Sequence, residues 1–242
     1  MNFKNKTVFI SGVNRGLGKY IFESFLKEGA SIICTVRKRD IKFSNYLKII
    51  KKKYNNKIKV LYFDFENYNQ IISNLNKLKK HLTIDILINN VGFASGSILE
   101  MTRIDDLEKI FKINYFSHLL IIQKLLPFLK KSKNASIINI TSMSAFLDHR
   151  GTIAYASSKL SLSFATKVMA NEFLGYKIRV NAIAPSAIET GMLAKMDKRS
   201  KNKLLKDTNL KKPLKINSVI KKILFLSSDK AIKLNGNIIK KF

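Results

Sequence analysis

The sequence predicts an α/β fold, in which a doubly wound parallel sheet of about seven strands carries helices on both faces. Apolar, β-branched runs alternate with amphipathic stretches along the chain, which is typical of such sheets with right-handed crossovers. Runs such as Ile86-Leu87-Ile88 are apolar at every position, as expected for strands covered on both sides. No linker, repeat or break in composition divides the 242 residues, so 1–242 are expected to form a single domain.

The strands are predicted where β-branched and other apolar residues form short runs bounded by glycine or polar residues. Several of these runs are followed directly by the polar and glycine-rich segments that carry the candidate site. In chain order the predicted strands are 7–11, 31–35, 58–63, 84–88, 136–141, 178–183 and a short terminal strand at 236–239.

Helices are predicted between the strands, where apolar residues recur every three or four positions. In chain order they cover residues 16–28, 41–54, 68–80, 104–112, 115–130, 154–174 and 218–226. Residues 191–212 are polar, rich in lysine and weakly patterned, which favours a mobile loop or a lid over the substrate. Because the ligand crevice of such a sheet lies beyond the carboxyl ends of its strands, the chemistry is expected in the segments that follow them.

The net charge of +29 is compatible with a nucleic-acid binder, a binder of anionic membranes or an enzyme with acidic partners. Nearly all of the positive charge is lysine, which is spread over predicted helix faces. Lysine, asparagine and isoleucine are enriched together, which indicates an A+T-biased genome. No basic and aromatic module of the RNA-recognition kind occurs, so no nucleic acid is expected as a partner.

The composition also indicates where the protein works and which ligands to expect. No apolar run approaches the roughly 20 residues that span a bilayer, and the N-terminus leaves no room for a signal peptide. The single cysteine, Cys34, cannot form an internal disulfide, which favours a reducing cytoplasm. The three histidines, His81, His118 and His149, lack metal-ligand spacing, so no metal is expected.

A glycine-rich turn follows the first predicted strand, in Ser11-Gly12-Val13-Asn14-Arg15-Gly16-Leu17-Gly18. Glycines in this position let the phosphates of a cofactor approach the backbone at a helix N-terminus, where N–H groups favour anions. The G-x-x-x-G-x-G spacing differs from the commoner dinucleotide spacing G-x-G-x-x-G. The predicted cofactor contacts in this turn are Gly12, Asn14, Arg15, Gly16, Leu17 and Gly18.

The end of the second strand indicates which cofactor is used. A carboxylate about 20 residues after the glycine turn would bind the ribose 2′-hydroxyl of NAD, but this chain has Val36 and then Arg37 there. Arg37 and Arg15 are instead suited to a 2′-phosphate, which a guanidinium binds in fork geometry. Arginine is scarce in this lysine-rich chain, so the pair favours NADP(H).

Tyr155 and Lys159 lie four residues apart on a predicted helix, thirteen residues after Ser142. Residues i and i+4 project from the same helix face, and an ammonium beside a phenol lowers the pKa of the phenol. A phenol activated in this way can pass a proton to a carbonyl oxygen while hydride arrives at the carbon. The same spacing is also found in ordinary surface pairs of tyrosine and lysine. The other motifs must therefore show whether this pair belongs to an active site.

These motifs together resemble the short-chain dehydrogenase/reductase family, which has a Rossmann-like fold. The similarity covers about residues 3–239, with the motifs in the family's order and spacing, and is closest to the 3-oxoacyl-acyl carrier protein reductase type. The residues that carry it are 11–18, 89–92, Asn114, Ser142, Tyr155, Lys159 and 181–190.

The resemblance implies a role for each catalytic position. Tyr155 would be the general acid, and Lys159 would lower its pKa and bind the nicotinamide ribose. Ser142 would hydrogen-bond the substrate carbonyl as charge develops on the oxygen. Asn114 would interrupt its helix and hold a water that relays protons to Lys159.

The remaining expected cofactor contacts follow the third, fourth and sixth strands. Asp64, beside Phe65, could accept from the adenine amino group or cap the next helix. Asn90 and Val91 precede Gly92, which leaves room for a ribose. The resemblance adds a nicotinamide carboxamide site formed by Pro185, Ile188 and Thr190.

These features predict an NADPH-dependent enzyme that reduces a carbonyl to an alcohol. The first substrate hypothesis is a 3-oxoacyl thioester on an acidic carrier protein, which basic residues such as Lys195, Lys198 and Arg199 could meet. The alternatives are a reductase of a nucleotide sugar or other polar carbonyl, and a non-catalytic basic binding protein on the same fold. A homodimer or homotetramer is expected, since in relatives the helices 115–130 and 154–174 pair subunits.

Overall fold

The strands of the protein form one parallel sheet. The computed structural model describes residues 1–189, 198–208 and 210–240. The strands are β1 (Thr7–Ile10), β2 (Ser31–Val36), β3 (Ile58–Tyr62), β4 (Ile86–Asn89), β5 (Ala135–Ile140), β6 (Ile178–Ala184) and β7 (Ile238–Lys240). Their order across the sheet is β3-β2-β1-β4-β5-β6-β7, and every neighbouring pair is parallel.

Helices connect these strands and cover both faces of the sheet. They are α1 (Gly16–Lys27), α2 (Ile41–Lys53), α3 (Tyr68–Asn76), α4 (Ile104–Phe111), α5 (Ser117–Leu129), α6 (Ile153–Glu172), α7 (Lys198–Asp207) and α8 (Ile216–Ser227). A π-helical turn, Lys112–Phe116, joins α4 to α5. Within the described residues, no helix is long and apolar enough to cross a membrane.

Two apolar layers lie on opposite faces of the sheet because the side chains of each strand alternate between them. Val8 and Ile10 of β1 belong to the layer under α1, α2 and α8, whereas Phe9 belongs to the layer under α3, α5 and α6. All three side chains are fully buried. Burial on both faces explains why the strand sequences are almost continuously apolar.

The structure confirms the predicted α/β fold with a doubly wound parallel sheet. Each predicted strand and helix is present, with ends that differ by at most four residues.

One further helix lies where a mobile loop or lid was expected. Residues 190–197 and 209 lie outside the described residues, and most of them belong to the expected segment 191–212. Within that segment, residues 198–207 form α7. Leu204 of α7 is buried and packs with Ala187 and Leu147. The hydrophobic pattern of α7 is weak because the helix has few apolar residues and many lysines. Its function as a lid stays a prediction.

Candidate active site

The carboxyl ends of the central strands meet along one edge of the sheet, and the candidate residues follow them there. The connections run in opposite directions from β1 and β4, so a crevice opens between these strands. The glycine turn follows β1 and residues 90–92 follow β4, while Ser142 and Pro185 follow β5 and β6. The sheet therefore gathers segments that are distant in sequence around a single crevice.

The glycine turn brings the backbone close to the start of α1. A Cβ on Gly18 would lie only 1.9 Å from the carbonyl oxygen of Gly12, so no side chain fits there. Gly12 and Gly16 both have positive φ, at 71° and 54°. Apart from its chain neighbours and the nearby backbone of α1, no described atom lies within 4 Å of the position of a Cβ on Gly16, and no side chain caps the helix at Arg15. The first amides of α1 thus face open space, which suits phosphate groups.

Ser11 and Asn90 join the ends of β1 and β4 at the base of the crevice. The amide nitrogen of the Asn90 side chain donates to the carbonyl oxygens of Ser11 and Gly12, at 2.9 and 3.1 Å. The Ser11 hydroxyl accepts from the backbone N–H groups of Asn90 and Val91, at 2.8 and 3.1 Å. These bonds fix the glycine turn relative to the segment after β4.

Arg15 and Arg37 are exposed and extend from adjacent segments. The backbone N–H groups of Gly12 and Val13 both donate to the carbonyl oxygen of Thr35, at 3.1 and 3.2 Å. Arg15 lies two residues after Val13, and Arg37 lies two residues after Thr35. Neither guanidinium forms a salt bridge with a described residue. Both are therefore available to an anionic ligand at this end of the crevice.

Asp64 stabilises the turn after β3 rather than the end of a helix. Its carboxylate accepts from the N–H of Glu66 at 3.0 Å, and its own N–H donates to the side chain of Gln70. Asn67, not Asp64, caps α3 through a bond from the N–H of Gln70. The alternative that Asp64 caps the next helix is therefore wrong. The contact of Asp64 with adenine stays a prediction.

Ser142, Tyr155 and Lys159 are brought together by β5 and α6. Ser142 lies two residues after the end of β5 and caps a 3₁₀ turn. Its hydroxyl accepts from the N–H of Ser144 at 3.1 Å. Lys159 is almost completely buried, and its Nζ donates to the carbonyl oxygen of Ile140 at 2.9 Å. This bond links α6 to the end of β5, two residues before the candidate serine.

Asn114 lies within the π-helical turn, at the position where an interruption of the helix was expected. Its side chain accepts from the N–H of Phe93 and donates to the carbonyl oxygen of the same residue, both at 2.8 Å. It also donates to the Ser158 hydroxyl at 3.0 Å. A Cβ on Gly92 would lie 3.3 Å from Nζ of Lys159, so the missing side chain leaves space beside the lysine.

Desolvation dominates the electrostatics of the two central groups. It raises the pKa of Tyr155 above its ordinary value, and a hydrogen bond with the Ser142 side chain opposes that shift. It lowers the pKa of Lys159 from 10.5 to about 8. Tyr155 therefore keeps its proton at neutral pH, while Lys159 remains largely charged. The lowering of the Tyr155 pKa by Lys159 stays a prediction.

The segment after β6 borders the same site. The carbonyl oxygen of Pro185 accepts from the N–H of Met143, the residue after Ser142, at 2.9 Å. Ile188 forms an isolated parallel bridge with Leu214. Thr190, the third residue of the expected carboxamide site, lies outside the described residues.

A cavity of about 390 Å³ opens beside the first turn of α6. Ile98, Leu99, Leu147 and Ile153 supply apolar walls, with Arg150 among the polar lining groups. His149 also lines the cavity, and its Nε2 lies 2.5 Å from a carboxylate oxygen of Asp207 in α7. In the described part of the chain, no cluster of three or more His, Cys, Asp or Glu could hold a metal ion.

Several residues at the site were not predicted from the sequence. Ser158 positions Asn114, while Ser117 and His118 contact the segments after β3 and β4. No role in the site was predicted for His118 from the sequence. The available signal was its spacing of four residues from Asn114, which places both on one helix face.

The chain is similar to known proteins over almost its whole length. The sequence model for short chain dehydrogenases matches residues 6–201. The 3-oxoacyl-acyl-carrier-protein reductase FabG of Thermotoga maritima is 30% identical over 242 residues, which cover 99% of this chain and 97% of that protein. The L-xylulose reductase of Caenorhabditis elegans is 27% identical, covering 98% of this chain and 94% of that protein.

Solved structures of similar fold include proteins bound to either nicotinamide cofactor. The L-sorbose reductase of Gluconobacter frateurii, complexed with NADPH and L-sorbose, has a TM-score of 0.87 and 22% identity, covering 98% of this chain and 95% of its own. A 7α-hydroxysteroid dehydrogenase complexed with NADH and 7-oxo glycochenodeoxycholic acid has a TM-score of 0.88 and 26% identity, covering 98% and 93%. The chain belongs to the short-chain dehydrogenase/reductase family of oxidoreductases.

Proposed function

We propose that this protein reduces a carbonyl compound to an alcohol with NADPH as the hydride donor. The observation that carries the proposal is the convergence of Ser142, Tyr155, Lys159 and Asn114 on one crevice that begins at an open glycine turn. A protein that only binds ligands has no need of a buried lysine next to a tyrosine and a serine at a strand end.

Each catalytic side chain has a task in this reaction. Tyr155 donates its phenolic proton to the carbonyl oxygen, and the Ser142 hydroxyl hydrogen-bonds the same oxygen as negative charge develops. The Lys159 ammonium stabilises the phenolate that Tyr155 leaves. Asn114 is proposed to hold the relay water, and bonds to Phe93 and Ser158 fix the position of its side chain.

The residues around the crevice fit a dinucleotide with a 2′-phosphate, which would supply the hydride when bound. The open first turn of α1 suits its phosphates, and Arg15 with Arg37 suits the 2′-phosphate. The space at Gly92 suits a ribose beside Lys159. The other proposed contacts are Gly12, Asn14, Gly16, Leu17, Gly18, Asp64, Phe65, Asn90, Val91, Pro185, Ile188 and Thr190.

The cofactor preference can be measured with both nicotinamide dinucleotides. We expect kcat/KM to be higher with NADPH than with NADH. Replacing Arg37 with alanine should lower the NADPH value about tenfold and leave the NADH value unchanged, since only NADPH carries the 2′-phosphate. Arg103→Ala, which removes an exposed arginine paired with Asp105, is the matched control. A wild-type preference for NADH would contradict this assignment.

A 3-oxoacyl thioester is the substrate that the relatives favour. The reductases named for 3-oxoacyl-acyl-carrier-protein in Thermotoga maritima and in Buchnera aphidicola match at 30% and 28% identity over nearly the whole chain. The apolar walls of the cavity beside α6 would accept an acyl chain. NADPH oxidation with an acetoacetyl thioester should exceed that with a ketose at equal concentration.

A polar carbonyl compound is the second candidate. L-xylulose reductase matches at 27% identity over the full chain, and Arg150 lies in the cavity lining next to the apolar groups. Faster turnover of a ketose than of the thioester would favour this candidate and overturn the first, while leaving the reaction type intact.

We also propose a homodimer or homotetramer in a reducing cytoplasm. Leu160, Phe164 and Val168 form an exposed apolar stripe along α6, at spacings of four residues. Cys34 is buried, and its burial raises the pKa of the thiol to about 12, so the cysteine is unreactive.

A further inference from the structure

Two polar residues in the first turn of α5 have no function in the reaction described above. Ser117 and His118 are both fully buried, with no exposed surface. Each is bonded to the main chain of a different segment at the crevice. Buried polar groups are costly unless they are hydrogen-bonded, so their partners indicate what these residues contribute.

The two partners lie at the ends of two different strands. The Ser117 hydroxyl donates to the carbonyl oxygen of Phe65, after β3, at 2.5 Å. Nε2 of His118 lies 2.8 Å from the carbonyl oxygen of Val91, after β4. Both carbonyls belong to segments beyond the sheet ladder, where the main chain needs partners from elsewhere.

The bond to Val91 determines the tautomer of His118. Because a carbonyl oxygen only accepts, Nε2 must carry a proton, and in the neutral ring Nδ1 is then unprotonated. Nδ1 has no hydrogen-bond partner among the described residues. Burial, with Lys159 as a second cause, lowers the pKa of His118 to about 3 against the opposing effect of Val91. The ring is therefore neutral and adds no charge next to the catalytic lysine.

The ring also contacts the second segment. The rings of His118 and Phe65 meet edge to face with their centroids 5.5 Å apart. His118 therefore touches the residue that Ser117 holds, while it bonds to Val91. One turn earlier, Asn114 holds both backbone groups of Phe93. A single helix face thus fixes the backbone at three points along the crevice.

We propose that Ser117 and His118 are positioning residues that hold Phe65 and Val91 at the spacing the cofactor needs. The inference rests on the proposed function only in that these two segments border the dinucleotide. Neither residue touches the reacting atoms. A purely structural role predicts lower stability when either is replaced, whereas positioning predicts weaker cofactor binding by the folded protein.

The test compares variants by NADPH binding, measured by calorimetry because the chain contains no tryptophan. His118→Leu removes the donor to Val91 and should raise the Kd for NADPH about tenfold, as expected for one lost hydrogen bond. His118→Gln keeps an N–H donor and should stay within about threefold of wild type. Ser117→Ala tests the bond to Phe65 separately and should raise the Kd about threefold.

Leu125→Ala is the matched control, since Leu125 is fully buried on the same helix but makes only apolar contacts. It should lower stability without changing the Kd of the folded fraction. In steady-state assays His118→Leu should raise the KM for NADPH while kcat stays within about twofold. An unchanged Kd in both His118→Leu and Ser117→Ala would overturn the proposal.

Two measurements do not depend on the cofactor. Nitrogen NMR should show His118 neutral with its proton on Nε2, and variants of His81 and His149 assign the three histidine signals. Amide hydrogen exchange at residues 91–93 should be faster in His118→Leu, and in Ser117→Ala the amides at 65–67 should exchange faster. A proton on Nδ1, or unchanged exchange, would overturn the positioning role. Failure of the wild type to bind NADPH would instead overturn the proposed function.

Discussion

Burial gives Tyr155 and Lys159 complementary protonation states. The raised pKa of Tyr155 keeps a proton on the phenol at neutral pH, and the value of about 8 for Lys159 keeps its ammonium mostly charged. Within the described residues Lys159 has no carboxylate partner, only the carbonyl oxygen of Ile140. Its charge is therefore available to the phenolate that forms when Tyr155 gives up its proton.

The lowered pKa of Lys159 makes protein stability depend on pH. Between pH 8 and 10.5 the unfolded chain binds more protons at this residue than the folded protein, so this residue's contribution to stability rises with pH there. The difference corresponds to roughly 3 kcal/mol over the full window. The gap in unfolding free energy between wild type and Lys159→Met should therefore shift in favour of wild type from pH 8 to 10. Lys167→Met, at an exposed position of α6, should show no such trend; an equal trend in both variants would contradict the burial of Lys159.

For single residues, the sequence predicts a role in the site best where the partners are near in the chain. Tyr155 and Lys159 share a helix turn, and Ser142 precedes them closely. The bonds of Ser117 to Phe65 and of His118 to Val91 span 52 and 27 residues. A serine or histidine inside a helical pattern does not reveal which distant carbonyl it will meet, so only the folded chain identifies these partners.

At the scale of elements, α7 is the part that sequence patterning missed. Among the described residues, Leu204 packs against Ala187 and Leu147, and Asp207 contacts His149. Thr208, just after α7, is buried and accepts from Ser186 at 2.9 Å. These contacts place α7 beside the wall of the cavity that His149 and Leu147 line.

The contact between Asp207 and His149 should limit the opening of α7. Asp207→Asn removes the charge that binds the histidine, so amide exchange over residues 198–207 should rise several-fold, as expected for a loss of about 1 kcal/mol. The KM for the carbonyl substrate should rise, while the Kd for NADPH stays unchanged. Asp105→Asn, which breaks an exposed pair with Arg103, serves as control. Unchanged exchange in Asp207→Asn would show that the apolar contacts alone hold α7.

At the scale of the whole molecule, the sheet is the feature that the sequence predicts best. Strands buried on both faces, such as β4 and β6, are mostly apolar, and this leaves a strong pattern. The order of the strands in the sheet is harder to predict from the sequence, because it depends on contacts between distant segments. The bonds from Asn90 to Ser11 and Gly12, which join β4 to β1, span 79 and 78 residues.

The exposed stripe on α6 predicts an assembly of subunits. Phe164 is 67% exposed at the centre of this stripe, which is unusual for a large apolar side chain next to others. Light scattering should show a dimer or tetramer for the wild type and a smaller species for Phe164→Glu, because a buried carboxylate would oppose the contact. Phe164→Leu should keep the wild-type mass. A monomeric wild type would contradict the assembly.

Proton donation by Tyr155 is the key step of the proposed NADPH-dependent carbonyl reduction. Its most direct test is the turnover of the best carbonyl substrate by Tyr155→Phe, which removes one oxygen from the crevice. We expect kcat to fall by at least about 100-fold, while the Kd for NADPH changes little. Carbonyl reduction by Tyr155→Phe at the wild-type rate would show that Tyr155 is not the proton donor.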